Sequence, residues 1–515
     1  MQFFKRLGSV ALAGVLAISI LPLQAAAATL GDYWKSDETN VPPKETLRVV
    51  WTDTVNNGEY FSTDFRNKAN SAKVRDLLEQ DFRTVLGVCG DKIEVGCISD
   101  VSYKVDGEWN KAVLEKSPGQ RDVAWGIIVN GNWDKALTST YKADPSKNIL
   151  AASQPNLFSF PKAPHRQGDK YWVNAVVQSY MVNGKARIKG FDIGAWGTEI
   201  KPMCQSGDDV QTASNIYCAP LFNLPKDLEI RVSVYLGNRI NELTGWFDGR
   251  MINPDIDFGV VRKGYVTVTG KPVEVSTAST EFIPKGDPLY DVSPEVEKMQ
   301  GSAGEPRQVV SRFDGIWAWE RFGSKVSETA QATNTYWRLS SWLTGDEGRY
   351  SCTSVTGVRG VVLSNAIAYT PTAPKWNKAS RSLNFEVAST HLKSDGSLNE
   401  GFYDLLVNEK IARCIWGNGI TGNKADIQIT DKDGKAQVAT TTFALSHGWA
   451  RFKAYGYHYS MPNISVKVPA AADEQAATSP VEKTTITCVN TKSKKLTKKI
   501  TAVAPKCPTG YKKKP

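Results

Sequence analysis

Short runs rich in β-branched and aromatic residues recur along this chain, separated at brief intervals by Gly, Pro, Asn and Asp. "LRVVWT", "YWVNAVVQSYMV", "LEIRVSVYLG", "GYVTVTGKPVEV" and "LNFEVAST" are examples. Such runs form strands, and their spacing is that of sandwiches or barrels. The expected fold is therefore all-β, mainly antiparallel, in sandwich-like domains. One stretch departs from this texture. In "NKANSAKVRDLLEQDFRTVLG", Val74, Leu77, Leu78, Phe82, Val85 and Leu86 follow helical spacing, and Gly87 suits a helix end. A minor helix is expected near 68–86.

The N-terminus has the form of an export signal. Lys5 and Arg6 precede the apolar run Val10–Leu23, and Ala25–Ala28 offer small residues for cleavage before Thr29. That run falls short of the roughly 20 residues a spanning helix needs. No later run is long and apolar enough either, so no transmembrane segment is expected in the mature chain. The eight cysteines form sequence-local pairs: Cys89 with Cys97, Cys204 with Cys218, Cys352 with Cys414, and Cys488 with Cys507. An even count in an exported chain reads as structural disulfides. No CxxC occurs and only four histidines are present. Neither a metal nor a cofactor is expected.

Charge is concentrated at one end. The chain carries +10, and residues 483–515 hold ten lysines and no acid. With Lys5 and Arg6 lost in the leader, residues 29–482 have a net charge of −2. A nucleic-acid-binding domain shows its positive charge as a patch on folded structure. Here the charge lies in the tail, as lysine without arginine, so nucleic acid is not an expected partner.

Composition divides the chain further. Residues 1–28 are the signal peptide and 29–283 an N-terminal β region of one large or two smaller sandwich-like domains. Residues 284–307, rich in Pro, Gly and charge, read as a linker. Residues 308–468 form a second sandwich-like domain. Residues 469–482 are a second linker, and 483–515 a disulfide-closed, lysine-rich tail.

Motifs for chemistry are scarce. GxSxG, HExxH and P-loop spacings are absent. His447 in "LSHGWARF" reads as a turn residue before Gly448. Glycoside hydrolysis needs only two converging carboxylates, and Asp53, Asp255, Asp257 and Glu320 each stand near an aromatic. Asp255 and Asp257 share a face if extended, as a weak cation site or, more simply, a solvated strand end. "DKDGK" (431–435) lacks the later ligands of a calcium loop and reads as a hairpin turn.

Aromatic pairs are the stronger signal. Read as a strand, "GIWAWERF" places Trp317 and Trp319 on one face. "AYGYHYS" places Tyr455, Tyr457 and Tyr459 together likewise. Exposed, these residues would make a platform for sugar rings, with polysaccharide as partner. Buried, they are sandwich core. "ARCIWG" sets Cys414 and Trp416 on one face, as where a tryptophan packs a disulfide, and this favours Cys352 as the partner of Cys414.

"VVLSNAIAY", "GFYDLLVNEKIARCIWG", "ATTTF", "GWARFKAYGYHYSMPNISVKV" and the closing "TITCVN…KKITAVAPKCPTGYKKKP" together resemble a C-terminal region of secreted actinobacterial surface proteins. The likeness covers about 361–515. "FNLPKDLEIRVSVYLGN…GWFDGRM" is similar to an earlier part of such proteins. The resemblance implies export and a surface role, and it brings no catalytic residue.

The sequence thus points to a secreted, envelope-associated protein, adhesive, glycan-binding or structural, and not an enzyme. Lys492, Lys494, Lys495, Lys498, Lys499, Lys506, Lys512, Lys513 and Lys514 are expected to face anionic wall polymers or a membrane surface. The alternative is a secreted carbohydrate-active enzyme with an aromatic-lined groove.

Overall fold

Runs such as "VVLS" and "FYDLLV" lack the polar alternate of a half-exposed strand, so such strands need cover on both faces. A computed structural model shows how they obtain it. It describes residues 46–51, 53, 64–66, 81–91, 93–116, 123–125, 142–202, 217–219, 221–290, 307–310, 315–342, 352, 357–370, 373–417, 420, 425–431, 433–459, 463–468, 484–491, 493, 497–502 and 505–514. The expected signal peptide and the 469–482 linker lie outside these residues.

The fold is all-β, with two short α-helices among the described residues. A 17-stranded sheet dominates. Its principal strands are β1 (Thr46–Trp51), β2 (Asp81–Val85), β3 (Lys170–Val182), β4 (Lys185–Thr198), β5 (Gly245–Arg250), β6 (Val273–Ser279), β7 (Ala332–Trp342), β8 (Val358–Ser364), β9 (Glu400–Asn408), β10 (Thr440–Ser446) and β11 (Trp449–His458). One continuous path runs β10–β11–β9–β8–β5–β7–β4–β3–β2. Every pair on it is antiparallel except β5–β8. The first half of β7 pairs instead with β6, and β6 with β1. β3 and β4 join through Asn183-Gly184, both at positive φ, which is the turn that two-residue hairpins favour.

Two smaller sheets cover opposite faces of this large one. Ile252–Phe258, Tyr265–Lys271, Glu229–Tyr235, Cys97–Val105 and Glu108–Lys111 form one of them. On that side Phe247 meets Phe258, and Phe258 meets Trp449. Ser382–Ala388, Asn463–Lys467 and Asp426–Thr430 build the other, with two short flanking strands. There Phe385 meets Tyr403, and Phe452 meets Trp416. Neighbouring residues accordingly face different cores, as Val361 and Leu363 do against Val362. The result is three β layers.

The structure alters several expectations. Phe82 and Val85 belong to strand β2, not to a helix. β2 is held between β3 and Asp64–Arg66, and that pairing overrides local helical spacing. Residues 68–80 of the expected helix lie outside the described residues. The division at 284–307 does not separate two sheets, because β7 and β8 pair with β4, β5 and β6, and Arg307–Val310 pairs parallel to β1. "GIWAWERF" is helix α1 (Gly315–Phe322), whose inward residues Ile316, Trp319 and Phe322 have helical spacing. "EKIARCIW" is helix α2 (Glu409–Trp416), capped by the Asn408 side chain.

Close packing in the large sheet depends on glycines with aromatic rings folded over them. Gly360 stands opposite Trp246, and a Cβ there would lie 2.2 Å from the indole. Gly401 stands opposite Tyr457, with a corresponding distance of 2.1 Å. Gly360→Ala is expected to cost about 3 kcal/mol by forcing the indole out of its site. Thermal unfolding measures this, and an unchanged melting temperature would show that Trp246 has room to move.

Candidate functional site

The tail folds as a sheet of its own: β12 (Thr484–Asn490) at the centre, β13 (Thr497–Ala502) on one side and β14 (Tyr511–Lys513) on the other. So few residues cannot bury a core, and covalent closure takes its place. Cys488 is buried and bonded to Cys507, with Cα atoms 5.6 Å apart. The Thr491 N–H donates to the Gly510 carbonyl at 2.9 Å, and the Lys514 N–H to that of Thr487 at 2.7 Å.

Register fixes where the lysines point. Lys498 and Lys513 both stand opposite Cys488, so they flank it on one face. Lys499 opposite Thr487 and Lys512 opposite Val489 take the other face. Lys498, Lys499, Lys506, Lys512, Lys513 and Lys514 are exposed. Lys498 also lies 5.1 Å from the centroid of the Tyr511 ring, a cation–π contact that steadies β13 against β14. Lys492, Lys494 and Lys495 fall outside the described residues. The described part of the tail is thus a disulfide-closed sheet with lysines on both faces, and the tail sequence holds no acid to neutralise them.

The other expected disulfides are placed as follows. Cys89–Cys97 and Cys352–Cys414 are formed. Cys204 lies outside the described residues, so its pairing with Cys218 is not described.

The aromatic platform does not form. Two positions along α1 is about 200° of rotation, so Trp317 and Trp319 do not share a face. Trp319 is buried edge-on against Trp51, 5.1 Å between centroids, and Trp317 is half-buried. Gly456, at φ 76°, inserts a bulge between Tyr455 and Tyr457. Tyr455 therefore turns to one core, stacked on Phe402, while Tyr457 and Tyr459 are buried in the other. The Tyr459 hydroxyl donates to Asn365 Oδ1 at 2.5 Å.

The candidate acids do not converge. Asp257 accepts the backbone N–H groups of Val260, Val261 and Arg262 at 2.7, 3.0 and 2.9 Å, so it organises a turn. Asp255 and Glu320 are exposed. His447 and Gly448, both at positive φ, make the two-residue turn between β10 and β11. Asp431 likewise holds a turn, accepting from the N–H groups of Asp433 and Lys435.

Asp53 is the acid with an unforeseen role. It is buried and accepts from Arg250 Nε at 2.5 Å and from Arg338 at 2.8 and 3.0 Å. Arg338 also donates to Asp248 Oδ2 at 3.0 Å, which receives the Tyr369 hydroxyl at 3.2 Å. Burial raises the pKa of Tyr369, and the nearby negative charge of Asp248 raises it further, keeping the phenol a donor. Two acids and two arginines make a charge-balanced cluster shut away from solvent. The visible signal was a charged residue inside an apolar strand, as in "GWFDGR" and "YWRLSS".

An open cleft of about 450 Å3 lies beside Arg48, Phe282, Lys325 and Gln331. Arg48 donates to Ser279 Oγ and lies over the Phe282 ring. The Glu281 and Asp287 carboxylates beside Lys325 raise its pKa and occupy its charge.

No family model, curated protein or solved structure matches this chain. Among the described residues, no helix is long and apolar enough to cross a membrane.

Proposed function

We propose that the chain is an exported, non-enzymatic component of the cell envelope, retained there by its tail through anionic wall polymers or lipid headgroups. The observation that carries this reading is the disulfide-closed sheet with exposed lysines on both faces, joined to a body of slight negative charge. Each lysine near an anionic membrane contributes about 1 kcal/mol. Several engaged at once give firm but salt-reversible attachment.

Two observations support the non-enzymatic half. Asp53, the one candidate acid in the core, is fully engaged with two arginines, and the aromatics expected to bind glycan are largely buried. A structural role for the body fits these better than a groove for polysaccharide.

Attachment by charge predicts release by salt. Washing cells with about 1 M salt, where screening acts within about 3 Å, should free the intact protein. A chain ending at residue 482 should appear in the medium at low salt. Retention of the shortened chain on washed cells would overturn the proposal.

A further inference from the structure

One end of the five-stranded sheet carries an apolar tip that the tail does not explain. Ile252–Phe258 and Tyr265–Lys271 are joined by "GVVRKG", in which Val260 is 62% and Val261 71% exposed. These side chains are held in water by design of the turn. Asp257 binds three successive backbone N–H groups, and Gly259 and Gly264 take the positive φ values that close it. Arg262 stacks on Tyr265, 3.5 Å from its ring centroid.

A second, disulfide-closed loop lies alongside. The Cys89–Cys97 disulfide closes the segment that exposes Ile93 (56%) and Val95 (40%). The Val95 side chain approaches Gly237, and the Gly237 N–H donates to the Gly264 carbonyl at 3.1 Å. Four aliphatic side chains therefore project from two adjoining, covalently or hydrogen-bond-locked loops. Loop tips are ordinarily polar.

We propose that this tip enters the headgroup region of a lipid bilayer. The inference rests on the reading of the tail as a binder of anionic surfaces, and it names that surface as lipid. A hairpin tip offers far less than the roughly 800 Å2 per partner of a stable protein interface. The ring beside it, Tyr265, is already covered by Arg262 and packed against Tyr235, so it does not offer an open face to sugar. Small convex aliphatic protrusions suit a bilayer, whose surface deforms around them. Arg262 and Lys263 follow the valines directly, at the depth of headgroup phosphates, while Asp91 and Glu94 are the acids of the neighbouring loop. A few aliphatic groups bind weakly alone, and durable attachment takes an apolar and a polybasic signal together. The chain has both.

Co-sedimentation of the full chain with vesicles tests this. Pure phosphatidylcholine vesicles in about 0.5 M salt suppress the contribution of the lysines, so binding there reports the tip. Val260→Asp with Val261→Asp should reduce that binding about tenfold or more. These exposed substitutions should leave the melting temperature unchanged. Replacing Lys498, Lys499, Lys512 and Lys513 by Gln should weaken binding only to phosphatidylglycerol-containing vesicles at low salt. Absence of binding to neutral vesicles, or equal binding by the valine variant, overturns the tip proposal. So would a dimer of the parent chain that the valine variant converts to monomer. An unaffected lysine variant would instead overturn the reading of the tail.

Discussion

Replacing Asp53 with alanine should lower the free energy of unfolding by about 3–5 kcal/mol. Arg250 and Arg338 stand directly opposite each other on β5 and β7, an arrangement that repels when uncompensated. Asp53 lies between them and accepts from both. Its removal would leave two buried guanidinium groups with Asp248 as the one remaining acid of the cluster. Arginine cannot escape by losing its proton. Asp53→Asn preserves size and one acceptor oxygen, so its cost should fall between those of alanine and the parent residue. The denaturant midpoint at unchanged slope measures both variants. A loss below about 1 kcal/mol would mean that water reaches the arginines, as at a surface pair.

Removal of the Cys352–Cys414 bridge should have a comparable effect. The two residues are 62 apart in sequence, and the chain-entropy model assigns closure of such a loop about 4 kcal/mol. The same model gives about 2.5 kcal/mol for Cys89–Cys97, whose separation is 8, and a little over 3 for Cys488–Cys507, with 19. Cys352→Ala with Cys414→Ala is the proper variant, since Cys352 is buried and serine would add an unpaired hydroxyl there. Calorimetry of the three double-alanine chains should rank their melting temperatures by loop length. If the 352–414 variant melts with the parent, the segment between those residues stays ordered in the unfolded chain.

The sequence was most legible where partners are close together in it. Strand runs bounded by turn residues identified the β class, and the Cys488–Cys507 tail could be delimited from one local stretch. Period alone misled in two places. Trp317 and Trp319 alternate as in a strand, yet Ile316, Trp319 and Phe322 carry the helical stripe. Tyr455 and Tyr457 alternate too, but the bulge at Gly456 sends them to different cores. The Asp53–Arg338 pair joins residues 285 apart, and no local pattern reports such a meeting. The charges inside β5 and β7 marked three members of the cluster without showing that they meet Asp53.

The pairing of β5 with β7 and β8 also dictates an order of events. Both neighbours of β5 in the sheet, β7 and β8, are made after it, and one side of β1 is filled only by residues 307–310. A chain emerging N-terminus first must therefore hold open strand edges until residues near 364 arrive. Open edges recruit other chains, and distant pairings form slowly. Yield of this protein should thus be governed by how fast its last third follows its first, more than by the final stability of either.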